Sequence, residues 1–492
     1  MEEQNQSQDA NSVLENDLSL LDQIIESTNT SPNDEAYEQT KKGLELFISY
    51  IVDNNEQDSK INKDIIDLMI SEIDTKLENQ LNEILHNEEF QKVESTWRSL
   101  HFLVSKTDFR ENIKLEILNV TKEELLEDFE NSLDITQSGL YKHIYTKEYG
   151  QFGGEPYGFI LGNYDFSPSR QDMINLKNIA KVAAVSHAPF IAAASPQFFG
   201  MDTFDSLPDV KDLKALMETP KLNQWRDFRE HEDSRNVALT LPKFLLRSPY
   251  GEEKSIKSFN YNEDCSHDSG QYLWGNASFA FASNVINSFS KYRWCSNIIG
   301  PKGGGEVDEL PQHSFSSMGS TEYKIPTEIL LSERKEFELA EEGFIGLTMR
   351  KGTGKASFFS ANSMQKAKNF GNTQEGIEAT SNFKLGMQLP YMFIINRLAH
   401  YIKVIQRENI GTWKSRNELE KELNQWIKNY ISDQENPSKA VRQRRPLRSA
   451  QISVFDVEGD AGWYRVSMKV VPHFKYMGSS FTLSLVSKLD KD

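Results

Sequence analysis

The sequence predicts a mixed fold, α+β with an α/β layer inside it. It has a helical module toward the N-terminus, a central α/β domain and a C-terminal β-sheet. Three observations predict it. Apolar residues between about 35 and 104 recur at helical spacing in three successive stretches. Residues 157–195 read as strand, helix, strand, the order of an α/β layer. Residues 447–486 read as three alternating strands separated by glycine-containing turns.

In chain order, the first eleven residues are polar and carry no pattern. From Ser12 to Glu26, Leu14, Leu18, Leu21 and Ile25 fall on one narrow helical face, fit for a coiled-coil-like seam or for packing on the chain's own domain. The polar stretch Thr28–Asp34 separates this helix from the rest and favours an accessible, peptide-like element. Leu44, Phe47, Ile48 and Ile51 mark the face of the next helix. Ile61, Ile65, Leu68, Ile73, Leu77, Leu81 and Leu85 mark a longer one, and Phe90, Val93, Trp97 and Leu100 a third.

Ile113, Leu115 and Ile117 alternate as a strand. Thr121 with Glu124 is a capping-box signature, so a short helix follows. Tyr157–Phe166 reads as a strand, Ser167–His187 as a helix and Phe190–Ala194 as a second strand. Residues 209–231 read as helical and charged, 236–241 as extended and 272–293 as a long, mostly buried helix. Phe344–Arg350 and Ala356–Ser360 flank a glycine turn and predict a hairpin. A helix opens at Pro390 and stops before Gly411. Another, 416–432, begins with the capping box Ser415/Glu418 and buries Leu419, Leu423, Trp426, Ile427 and Tyr430. In the terminal block Ile452 and Val454, then Tyr464, Val466, Met468 and Val470, then Phe481, Leu483 and Leu485 form the alternating apolar positions. Such a sheet has two edges of unpaired N–H and C=O groups, open to its own domain or to a strand from another chain.

The bulk numbers exclude several functions. The chain has 492 residues, a formal net charge of −18 and two cysteines, Cys265 and Cys295. That charge argues against nucleic acid as the main partner, and two cysteines make no disulfide framework. The acidic start MEEQNQSQDA is no secretory signal, and no run of about 18 apolar residues predicts a membrane span.

The chemistry sought was not found, and no catalytic, metal or cofactor residues are assigned. Lys351–Lys355 resembles half of a phosphate loop, but Met349 and Ala356 stand where the pattern needs glycine and a hydroxyl. Gly300–Gly305 follows a helix and contains Pro301, so it reads as a surface loop whose glycines permit positive φ or a close approach. His231–Arg235 lacks the second histidine of a zinc-protease helix, and Cys265 with His267 lacks a second pair. The basic run at Lys439, Arg442, Arg444, Arg445 and Arg448 suits an acidic protein surface better than a nucleic acid.

An ordered series of motifs carries more. Glu94-Ser-Thr-Trp-Arg-Ser-Leu-His-Phe-Leu-Val104, Pro189–Pro196, Leu241-Pro242 with Leu245–Gly251, Trp274–Ala277 and Gly300–Pro311 resemble, in order, the large subunit of the type VI secretion contractile sheath. The resemblance runs from about residue 60 to the end. It implies a non-enzymatic structural protein similar to phage tail sheaths. Such a protein pairs with a smaller sheath subunit and polymerises with copies of itself around an inner tube on a baseplate, in the bacterial cytoplasm. It needs no cofactor, nucleic acid or membrane, and an AAA+ unfoldase takes the contracted sheath apart.

On that resemblance the chain divides into a flexible N-terminus with its amphipathic helix (1–34), a helical module for the small subunit (35–106), a mixed α/β domain (107–385) and a tail-sheath core (386–492). The strand residues 452–485 named above would exchange between subunits. Glu418, Glu420, Lys421, Glu422 and Lys428 would face the tube, and Leu44, Phe47, Ile51, Ile65, Leu68 and Leu77 the small subunit. Leu14, Leu18, Leu21 and Ile25 would be the unfoldase handle or a second small-subunit contact. The competing class is an α/β nucleotide- or phosphate-binding enzyme using the 157–195 layer and the glycine loop.

Overall fold

The computed structural model describes residues 37–53, 63–251, 261–263, 265, 269–317, 320–350, 352–412, 414–432, 434, 437–457, 464–473 and 483–486. The chain forms two compact units, Met1–Gln80 and Leu81–Asp492. In the first lie helix α1 (Tyr37–Asp53) and most of α2 (Lys63–Leu85). On α2, Leu68, Ile70, Ile73 and Leu77 are exposed while Met69 is buried.

The second unit is built on a six-stranded sheet. Its strands are β1 (Ile160–Phe166), β2 (Phe190–Ala194), β3 (Val237–Leu241), β9 (Phe344–Met349), β10 (Ala356–Phe358) and β6 (Glu306–Val307), side by side in that order. The first four run parallel, and the last two pairings are antiparallel. Two short ladders, β4 (Phe244–Leu245) with β5 (Trp274–Gly275) and β7 (His313–Ser317) with β8 (Ser320–Lys324), stand apart. Successive side chains of β2 enter opposite cores. Phe190, Ala192 and Ala194 join the cluster under helix α5 (Arg170–Ser186), whereas Ile191 joins the one under helix α6 (Ala277–Tyr292). A parallel sheet covered on both faces explains why all five β2 residues are buried.

Helix α3 (Glu88–Ser105) turns Ser99 and Leu103 inward. Helix α4 (Lys122–Asn131) opens with the predicted capping box, Thr121 Oγ1 accepting from Glu124 N and Glu124 accepting from Thr121 N. Helices α7 (Glu333–Glu341) and α8 (Gln374–Gly386) lead to α9 (Leu389–Glu408), which starts with Pro390 in its first turn. Ile394, Leu398 and Ile402 of α9 then join a third core. It also holds Leu419, Leu423 and Ile427 of α10 (Arg416–Ile427), with Leu447, Ile452, Val454, Val466, Met468 and Val470 of the terminal sheet. That sheet is antiparallel, β11 (Leu447–Asp456), β12 (Tyr464–Pro472) and β13 (Leu483–Val486). The basic run forms a short helix, α11 (Lys439–Arg444), before it.

Three sequence expectations are corrected. Ile113, Leu115 and Ile117 do not form a strand, because residues 113–120 belong to no ladder. Ile113 and Leu115 pack on the core, whereas Ile117 is 71% exposed. Residues 209–231 are not one helix but short pieces, Leu213–Met217, Pro220–Leu222 and Asn223–Glu230, because Pro220 has no N–H to continue the ladder from the first. The buried helix begins at Ala277, not Tyr272, since Trp274–Gly275 is taken by β5.

Candidate assembly surfaces

The terminal sheet is the best-defined candidate. In β11 and β12 the predicted inward residues are buried: Ile452, Val454, Val466, Met468 and Val470, with Tyr464 half-buried. Leu483 and Leu485 lie in β13 opposite Val470 and Met468, but their side chains and Phe481 are outside the described residues. Among the described residues β13 covers Ser467–Val470, leaving the two ends of the nine-residue β12 without a neighbour on that side.

The other edge departs from the expectation of an open one. The Asn424 carboxamide accepts from Ile452 N at 3.0 Å and donates to Ile452 O at 2.6 Å. Glu420 accepts from Val454 N at 2.9 Å, and Ser432 N donates to Leu447 O at 3.0 Å. These contacts are not legible in local patterns, because the Asn424 and Glu420 partners lie 28 and 34 residues away along the chain.

The residues of α10 expected to face a tube divide into two groups. Glu418 serves the capping box, its carboxylate accepting from Ser415 N at 2.8 Å. Glu420 holds Val454, and Glu422 pairs with Lys414 at 2.5 Å. Lys421 and Lys428 are exposed. Of the residues expected to meet a small partner, Leu44 is half-buried and Leu68 and Leu77 are exposed. The side chains of Phe47, Ile51 and Ile65 are outside the described residues, as is the whole segment with Leu14, Leu18, Leu21 and Ile25. Sequence reasoning missed a further exposed apolar stripe. On α3, Phe90, Val93, Trp97 and Val104 are exposed, Trp97 by 66%. Their helical spacing was visible, but not which face the core would cover.

The segments weighed for chemistry are occupied by structure. In the glycine loop Gly300 N donates to Phe358 O at 2.7 Å, and Gly303 N and Gly305 N donate to Gly300 O. These amides do not face a phosphate. A Cβ on Gly305 would come within 2.5 Å of Phe358 O, so the close approach to β10 requires glycine. Residues 352–355 lie in the turn of the β9–β10 hairpin, with Arg350 N donating to Lys355 O at 2.8 Å and Lys355 Nζ pairing with Asp308 and Glu306. Arg442, Arg444, Arg445 and Arg448 are exposed beside β11, while Lys439 reaches Lys302 O at 2.6 Å.

Among the described residues one trio, His86, Glu263 and Cys265, has ligand atoms within 4.8 Å of one another. The Glu263 carboxylate is already engaged. Arg247 holds it at 2.5 and 3.0 Å, Tyr250 N donates at 3.0 Å and His86 Nε2 lies at 3.3 Å. Arg247 also reaches Glu94 at 2.9 Å, and Arg98 reaches the same oxygen at 2.6 Å. A divalent ion there would face a guanidinium and a carboxylate with its lone pairs filled, so the donor set does not fit a metal. The network instead ties α3 to the loop after β4.

A second buried polar cluster joins α9 to the central domain. His400 Nε2 lies 2.9 Å from Ser186 O, beside His187, the left-handed residue that ends α5. Tyr149 packs edge-on to His400 at 5.3 Å, and Lys403 lies over Tyr149 and bonds Tyr145 Oη at 2.9 Å. Burial pushes the His187 imidazole down to about 4 and the His400 imidazole down to about 3.

Similarity to known proteins falls on the same elements. Residues 67–365 match the EvpB/VC_A0108 tail sheath N-terminal domain, and residues 378–489 match the EvpB/VC_A0108 tail sheath gpW/gp25-like domain. A sheath protein of the type VI secretion system of Pseudomonas aeruginosa, TssC1, is 40% identical over 462 residues, 92% of each chain. A chain of the cryo-EM structure of the anti-feeding prophage baseplate, 6-fold symmetrised, covers 78% of this chain and 84% of its own at 10% identity, with a TM-score of 0.34. That last likeness is too low to carry an argument.

Proposed function

The chain belongs to the tail sheath family of type VI secretion systems, and from that premise we propose how it works as a sheath subunit. Members of this family are structural proteins rather than enzymes. The protein pairs with a small sheath subunit and polymerises into a helical cylinder around an inner tube in the bacterial cytoplasm. Contraction of that cylinder drives tube and effectors out of the cell. No helix among the described residues is long and apolar enough to cross a membrane.

The observation that supports this reading best is the terminal sheet, in which, among the described residues, β13 lies beside only Ser467–Val470 of the nine-residue β12. Strand addition there supplies main-chain hydrogen bonds with direction and register, each worth roughly 0.5–1.5 kcal/mol net. Several such bonds link subunits through a joint that tolerates rotation, which a contracting lattice needs. The exposed α3 stripe offers a surface for the small subunit, and the exposed apolar residues of α2, taken by themselves, offer another. The four exposed arginines beside β11 suit an acidic neighbour, and Lys421 and Lys428 are the outward charges of α10 for the tube.

Electron microscopy of the chain co-expressed with its small subunit tests this reading. Cylinders are expected from the wild type. Ile452 turns its N–H and C=O to Asn424, so Met468 opposite it turns its own toward β13. Proline at Val466 and Met468 therefore removes donors from that side, the Met468 donor being one that faces β13. Heterodimers without cylinders are the expected outcome, and normal cylinders from the double variant would refute strand exchange. Deleting residues 1–28 separates two roles for the N-terminal helix. Loss of the heterodimer assigns it to the small subunit, and loss of disassembly alone assigns it to the unfoldase.

A further inference from the structure

We infer that Asn424 and Glu420 act as a built-in strand surrogate that seals the outer edge of β11, confining strand addition to the β12 side of the terminal sheet. The inference rests on the strand-exchange reading above and adds which edge a partner can use.

A side-chain carboxamide has an acceptor oxygen and two N–H donors, so it can offer the donor–acceptor pair of a neighbouring strand's peptide group and keep one N–H over. Asn424 presents both to Ile452, at 3.0 and 2.6 Å. It is oriented by a further bond from its own Nδ2 to Glu420 O, one helical turn back, at 2.8 Å. Glu420 then takes the next outward N–H, that of Val454, at 2.9 Å. In an antiparallel ladder the outward-facing residues of an edge strand are every second one, so these are consecutive positions on that edge. At the start of the strand a parallel bridge between Ile431 and Leu447 and the Ser432 N–H close Leu447.

The seal is anchored. Leu419, Leu423 and Ile427 of α10 pack in one core with Ile452 and Val454. An incoming strand at β11 has to displace both side chains and forfeit their bonds without moving the helix beneath. At β12 the outer side is covered only over Ser467–Val470 among the described residues. Edge strands are liabilities that proteins cover or charge to prevent unwanted pairing. Here the β11 edge is covered by side chains of the chain's own helix. A protomer with one accepting edge makes head-to-tail contacts, the type that propagates as an open helix.

Hydrogen exchange on the full-length free chain tests the seal. In the wild type the Ile452 and Val454 amides exchange slowly. Asn424→Ala speeds Ile452 roughly tenfold, and Glu420→Ala does the same at Val454. Glu420→Gln keeps an acceptor and leaves Val454 slow, so the Glu420 pair remains decisive if Asn424→Ala does not fold. Unchanged rates in both alanine variants overturn the inference. A cryo-EM map of the wild-type cylinder co-expressed with the small subunit tests the confinement. An added strand beside β12 supports it, and one beside β11 overturns it. Cylinders with no strand added at either edge would end the strand-exchange reading instead, while the exchange rates still judge the seal.

Discussion

Replacing Arg247 with methionine isolates the buried ion network. Arg247 is 5% exposed in its side chain and stands between Glu263, at 0%, and Glu94, at 12%. The change keeps the length of the side chain and removes the guanidinium, leaving two carboxylates in a poorly solvated site. Breaking a buried pair by deleting one partner costs about 3–5 kcal/mol. Spread over the unit Leu81–Asp492, with unfolding entropy of about 2.1 cal/mol/K per residue, that lowers the Tm by roughly 3–6 °C. The pH dependence gives the diagnostic. In the wild type burial pushes the Glu263 carboxyl up, but the bonds and charge of Arg247, with Tyr250 N–H and His86, outweigh it and hold the group below its ordinary range. Its contribution is therefore present above the ordinary carboxylate pKa and is lost as pH falls through the lowered value. Without Arg247 burial prevails, the folded pKa rises, and the group takes a proton at mildly acid pH. The difference between wild type and variant thus narrows from pH 7.5 to pH 5.5. Glu263→Gln on top of Arg247→Met restores part of the loss. Thermal melts by circular dichroism read both effects. An equal difference at the two pH values, or further loss in the double variant, would refute the account of the network.

Two other predictions concern surfaces of opposite character. Trp97→Ala changes the stability of the free chain by less than about 0.5 kcal/mol, because the ring is exposed. Yet it weakens binding of the small subunit by about 2 kcal/mol or more if the stripe is central to that interface, as co-purification would show. The seam around His187 and His400 is acid-labile. Both folded pKa values lie below the ordinary 6.5, so stability is full above pH 6.5 and falls as pH drops toward about 4 and then about 3. Lys403, Arg397 and Arg407 on α9 add positive charge to the same region and no acid relieves it among the groups named there. Melting of the free chain at pH 7.5, 6 and 5 should show the loss, and His400→Gln should flatten it.

What was legible in the sequence was local. The Thr121/Glu124 and Ser415/Glu418 boxes involve four consecutive residues each and formed as expected. Phe190–Ala194 was legible because its ends are marked and its composition suits a strand covered on both faces. Ile113, Leu115 and Ile117 show the limit of periodicity. Alternation specifies an extended backbone, but a strand also needs a neighbour, and no ladder partner lies beside it among the described residues. Likewise the α3 pattern fixed a helix without saying that Ser99 and Leu103, rather than Trp97, would face inward. The β11 seal and the Arg247 network were not legible at all. Each joins residues 16 to 153 positions apart, and nothing in either segment alone distinguishes a bonded carboxylate or amide from a solvated one.

The same distinction decides how the tube contact of α10 must be tested. Reversing Glu418, Glu420 and Glu422 together looks, from the sequence, like a clean change to a wet face. In the structure it removes a capping box, worth about 1 kcal/mol, and leaves the Val454 N–H without its acceptor, a further ~1–3 kcal/mol. Any loss of tube binding in that variant is confounded by a loosened terminal sheet. Lys421 and Lys428 are exposed, and neither is bonded to the sheet in the contacts that hold α10. Lys421→Glu with Lys428→Glu is therefore expected to leave the Tm within about 1 °C, corresponding to less than ~0.5 kcal/mol, while reducing the tube protein that sediments with the sheath at least several-fold. Retained tube in the lysine variant would remove α10 from the tube interface, whatever the acidic variant does, because the acids are committed to the fold and the lysines are the charges this helix has left to offer.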